Sequence, residues 1–148
     1  MNLKQLIRAK ALSGGGSAEV NLFDISTLEG KSGITIDGDE FYGTAAKINA
    51  AGTLALTSSI AVGKTVTVSC TLRNEGNSST EGNGLSVFLV YSDETTERMF
   101  YGENADTTAK AFTNTFTAAK EITGISFSYY AKGQNIWHIS GLKVVAKG

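Results

Sequence analysis

Apolar residues recur along this chain with two different periods. Over Asn2 to Leu12, Leu3, Leu6, Ile7 and Ala11 fall at i, i+3, i+4 and i+8, one stripe at the helical period. Asn2 suits the N-cap, and Lys4, Arg8 and Lys10 lie off the stripe. Ser13-Gly14-Gly15-Gly16-Ser17 then ends the helix and reads as a flexible tether. A helix of about ten residues is marginal alone in water because nucleation is costly. The stripe therefore predicts a surface on which it docks, and the tether favours a partner's surface over the chain's own. Residues 1–17 are expected to form an anchoring arm and residues 18–148 a separate folded domain.

From Glu19 onward the pattern shortens to the period of strands. Val20 to Phe23, Ile34 to Ile36, Phe41 to Ile48 and Thr53 to Leu56 read as the first of them. Thr65 to Leu72 alternates polar and apolar over its whole length, the mark of a half-buried strand. Leu85 to Tyr91 is apolar on both faces and suits a central position. Arg98 to Tyr101, Ala111 to Thr117, Ile122 to Tyr130 and Ile136 to Val145 follow, and Gly141 inside the last predicts a bulge. Roughly nine or ten strands at spacings of about 8–12 residues indicate a sandwich or barrel. The expected fold is all-β, a β-sandwich of jelly-roll or immunoglobulin-like connectivity, which the strand pattern does not distinguish, preceded by the short helical arm.

Composition narrows the function. The 13 basic residues are scattered and the net charge is −1, so the chain lacks the electrostatic footprint of a nucleic-acid binder. Nothing approaches the roughly 18 apolar residues of a membrane span. The N-terminus also lacks the unbroken apolar stretch and cleavage site of a signal peptide. Cys70 is the single cysteine and lies on the apolar side of its strand, as a buried thiol does. No cofactor is expected.

Candidate catalysis is scarce. His138, the only histidine, sits inside an apparent strand, where a structural or surface role fits better than a nucleophile's partner. Asp37, Asp39 and Glu40, Asp93 and Glu94, and Glu103 and Asp106 all stand in turn-like settings. The Asp37-Gly38-Asp39-Glu40 group has oxygen ligands that suit calcium but lacks the spaced register of a calcium loop. The chain is not expected to be an enzyme. What remains is display of aromatic and amide groups. Trp137 and Tyr130 could stack on sugar rings, with Gln134 and Asn135 bonding hydroxyls. A lone Trp on a strand is also the largest core residue available, and the balance lies with the core.

Two stretches carry a family resemblance. One is the opening Leu3 to Leu12 running into Ser13-Gly14-Gly15-Gly16. The other is the succession Gly63 to Ser69, Leu85 to Tyr91, Ala111 to Thr117 and Ile136 to Val145. Together they resemble the jelly-roll, carbohydrate-binding-module-like domains of phage tail, baseplate and capsid accessory proteins. The resemblance covers most of residues 19–148 and brings no catalytic residues with it. It implies a virion accessory protein, made in the host cytoplasm and displayed on the particle surface. Its arm (Leu3, Leu6, Ile7, Ala11) would dock on major capsid or tail proteins. Such accessories form closed assemblies, so a homo-oligomer is expected. The alternative function is a carbohydrate-binding module for host or mucus glycans.

Overall fold

Two antiparallel sheets face each other across one apolar core in the computed structural model, which describes residues 19–75, 84–103, 106–130 and 135–148. The strands are β1 (Ile34–Asp37), β2 (Glu40–Thr44), β3 (Leu54–Ile60), β4 (Thr65–Glu75), β5 (Gly84–Tyr91), β6 (Thr96–Glu103), β7 (Lys110–Thr117), β8 (Ile122–Tyr130) and β9 (Ile136–Lys147). One sheet runs β1-β2-β9-β4-β7 and the other β3-β8-β5-β6. This is the all-β sandwich that the strand pattern implies, and its connectivity is that of a jelly roll. The arm, with Leu3, Leu6, Ile7 and Ala11, lies outside the described residues.

The alternation in β4 works as its sequence suggests. Val66, Val68, Cys70 and Leu72 point into the core, while Thr65, Thr67, Ser69, Thr71, Arg73 and Glu75 face outward. β5 is buried along almost its whole length, because β6 and β8 flank it. Each large apolar side chain taken out of water contributes about 1.5–3 kcal/mol. Phe41, Ile48, Leu72, Leu85, Leu89, Ile122, Ile125 and Ile139 form the centre of this core. The Phe41 ring meets Phe127 edge-on, with centroids 5.5 Å apart.

Gly141 makes the bulge expected of it. Its φ is +60°, and the pairing of β9 with β4 shifts register between Ser69 and Thr71, opposite this residue. The extra residue lets Ile139 and Leu142 both point inward, which strict alternation forbids.

Two early segments depart from expectation. Phe41 to Ile48 is not one strand: β2 stops at Thr44, and a short helix α1 (Ala45–Ala50) follows. Thr44 caps it, its hydroxyl accepting from the Lys47 N–H at 3.3 Å, and Ala45 and Ile48 bury the same face. Val20 to Phe23 is a strap and not a regular strand. Leu22 donates its N–H to the Val144 carbonyl (2.8 Å) and accepts from the Thr57 N–H (2.9 Å), joining both sheets. The Asn21 side chain donates to the Leu142 carbonyl and accepts from the N–H groups of Phe23 and Val144.

Candidate functional site

The outer face of the four-stranded sheet combines small residues with two large rings, Tyr101 and Phe88. Register places Tyr101 of β6 opposite Ser86 of β5, and Ser86 opposite Ser128 of β8. The next row outward is Arg98, Phe88 and Ser126. Ser126, Ser128 and Phe88 are half-buried and Ser86 is 8% exposed, so three hydroxyls and one phenyl ring line the floor. Tyr101 is 38% exposed. Its ring lies across Gly84, where an added Cβ would stand 2.3 Å from the ring's Cζ. The Arg98 guanidinium carbon sits 5.3 Å from the ring centroid. A flat aromatic surface, a cation and a row of hydroxyls thus share one face.

The outer face of the five-stranded sheet is polar in another way. Tyr42 and His138 are cross-strand partners, and their rings stack at 4.8 Å and 22°. Glu40 contacts His138 Nδ1, and Glu75 lies 2.6 Å from Nε2. An imidazole with a carboxylate at each nitrogen is fully satisfied when both nitrogens donate. Thr67 and Thr115 pair through their hydroxyls at 3.0 Å. These groups occupy one another.

Of the residues singled out in the sequence, Trp137 needs correcting as a sugar platform. It is 1% exposed, because β9 turns it inward towards Leu72 and Gly102, so neither face of its indole can reach a ligand. Asn135 is likewise buried, 3% exposed, and its carbonyl accepts from the Ala45 N–H at 3.0 Å. The backbone of Tyr130 pairs with Gly84, the glycine that the Tyr101 ring lies across from the other side of β5. Gln134 lies outside the described residues. Sequence reasoning missed Tyr101, Ser86, Phe88, Ser126 and Ser128 as a group. The Ser126-Phe127-Ser128 alternation was a signal, but only the register shows that it faces Tyr101.

The other candidate groups are committed elsewhere. Asp93 accepts from the Thr95 N–H and hydroxyl and from Lys120, contacts that hold its carboxyl well below the usual range. It caps its own turn, in which Glu94 has φ 68°. The Tyr91 hydroxyl is pushed up to about 12 by burial and by the Glu97 carboxylate it donates to. Burial alone pushes the Cys70 thiol up to about 12. Among the described residues, no three His, Cys, Asp or Glu side chains converge as a metal site.

Neither a protein-family model nor a curated protein matches the sequence. Solved structures do match. A family 29 carbohydrate-binding module in complex with cellulohexaose superposes with a TM-score of 0.56 at 14% identity, over 88% of this chain and 92% of that one. A family 16 carbohydrate-binding module gives 0.50 at 12% identity, over 84% and 99%. The chain has the jelly-roll fold of carbohydrate-binding modules. A chain of infectious bursal disease virus superposes at 0.41 and 16% identity, over 87% of this chain and 32% of that one.

Proposed function

We propose that this chain is a non-catalytic glycan-binding module that takes a polysaccharide across the outer face of β8, β5 and β6. The exposed Tyr101 ring lying across Gly84 carries the proposal. A sugar's C–H face stacks on such a ring, and its hydroxyls meet Ser86, Ser126, Ser128 and Arg98. The family 29 module was solved with cellulohexaose, so β-glucans belong in the first panel tested. The test is affinity electrophoresis and calorimetry on a set of soluble polysaccharides, comparing the native chain with Tyr101→Ala. A polysaccharide that retards the native chain and not the variant supports the proposal. No binding to any member, or binding indifferent to Tyr101, overturns it.

A second function is favoured by the arm. The stripe of Leu3, Leu6, Ile7 and Ala11 before three glycines suits attachment to a capsid or tail protein, with the sandwich displayed on the virion surface. Deletion of residues 1–17 then abolishes attachment to particles and leaves the sandwich folded. Full retention on particles after the deletion removes this function. The two are compatible, since a particle-borne module can also grip surface sugars.

A further inference from the structure

Among the described residues the sandwich has four edge strands, and three are protected against pairing with another chain. β1 has four residues and ends on Asp37. β3 pairs irregularly with β8 between Ala55 and Ile60, and the Leu22 strap bonds its Thr57. β6 carries Glu97, Arg98 and Glu103 and is irregular opposite Val87 and Phe88. Short length, bulges and charges are the usual means of blunting an edge.

β7 has neither short length nor a bulge, and carries a single charge. It runs eight residues and pairs with β4 at every position from Lys110 to Thr117 without a shift. Its only charge is Lys110, at the first position. Among the described residues, no strand pairs with its other side. Phe112 and Phe116, on its core side, are only half-buried, although Phe112 also packs on Phe100 at 5.6 Å.

The sequence of this edge is a palindrome, Phe112-Thr113-Asn114-Thr115-Phe116, centred on Asn114. A two-fold contact must be complementary to itself, residue i meeting j and j meeting i. We infer that β7 pairs antiparallel with β7 of a second copy about a two-fold axis at Asn114, joining two five-stranded sheets into one. In that register Phe112 faces Phe116 of the second copy and Thr113 faces its Thr115. Asn114 meets its own equivalent. Aromatic pairs and threonine pairs are both favourable across antiparallel strands. Lys110 falls opposite Ala118 of the second copy, so the two Lys110 positions stand about 27 Å apart along the strand. The contact consumes the open edge of both copies and closes at a dimer. Because the axis is perpendicular to the sheet, both four-stranded sheets lie on the same side of the joined one.

The mass in solution, from light scattering and sedimentation on the full chain, tests this. The native chain is expected at twice the 15.5 kDa of one copy. Thr113→Lys with Thr115→Lys sets like charges opposite each other twice and is expected to give the single-copy mass. Thr113→Lys with Thr115→Glu makes two complementary pairs in the same register and is expected to restore the dimer. Circular dichroism confirms that each variant is folded. Should either fail to fold, Thr113→Cys with Thr115→Cys is expected to cross-link two copies under oxidation, with buried Cys70 taking no part. A native chain of single-copy mass overturns the inference. So does a dimer untouched by the like-charge pair, one the complementary pair does not restore, or a Cys pair that gives no cross-link.

Discussion

The two outer faces of this sandwich use similar residues to opposite ends. On the five-stranded sheet a tyrosine, a histidine and two glutamates satisfy one another: Tyr42 stacks on His138, and Glu40 and Glu75 flank the ring. On the four-stranded sheet the Tyr101 ring lies across Gly84 with Arg98 beside it and serines alongside. The difference teaches that polar and aromatic content alone does not make a binding face. What matters is whether the groups already hold partners, and here the neighbour's size decides. A glycine under the Tyr101 ring, diagonal to it in the register, leaves the ring lying flat across the strand, whereas a histidine directly opposite Tyr42 covers it.

The comparison can be broken or sharpened by substitution. The largest effect is expected from Trp137→Ala in the shared core, a loss of about 3–5 kcal/mol of stability. At about 2–4 °C per kcal/mol for a chain of this size, thermal unfolding should show a fall of roughly 10 °C. If the melting temperature barely moves and polysaccharide binding vanishes instead, the indole belongs to a site after all. Next comes Tyr101→Ala, expected to weaken polysaccharide binding about 30-fold, or about 2 kcal/mol for an aromatic anchor. Calorimetry should show that loss while the melting temperature holds within a degree or two.

His138→Ala is expected to do the reverse on the other face. It removes the ring between two partly exposed carboxylates and uncovers Tyr42, costing about 1 kcal/mol in chemical denaturation. Binding should be unchanged, and weakened binding would move the site to the five-stranded sheet. Thr67→Val, which deletes the hydroxyl pair with Thr115, should cost no more than about 0.5 kcal/mol. Smallest of all is the response of Cys70. With its thiol pushed up to about 12, a thiol reagent at pH 8 should leave it untouched until the chain unfolds, and fast labelling of the folded chain would contradict its burial.

The fold was more legible in the sequence than the site. Period-two alternation in Thr65 to Leu72 survives in the structure because one face of β4 packs on the core and the other meets water. Gly141 announced its bulge because a side chain at positive φ is costly there. The α1 helix was hidden because Ala45-Ala46-Lys47-Ile48 also continues a strand-like run, and only the Thr44 cap and the burial of Ile48 decide otherwise. The site was hidden for a longer-range reason. Tyr101, Ser86 and Ser128 are separated by at least 15 residues from one another, and their shared row exists only once the strands have paired. Trp137 drew attention by its chemistry, yet chemistry does not say which side of a strand it faces.

The Asn21–Leu22 strap has a mechanical consequence for any pull applied at the start of the described residues. Tension entering at Glu19 first meets that residue's ion pairs with Lys143 and Lys147. It then reaches the Leu22 bonds to Val144 and Thr57 and the Asn21 bonds to Leu142 and Val144, which anchor in both sheets at once. A load applied at Glu19 is thus divided between the two sheets before it bears on any single strand.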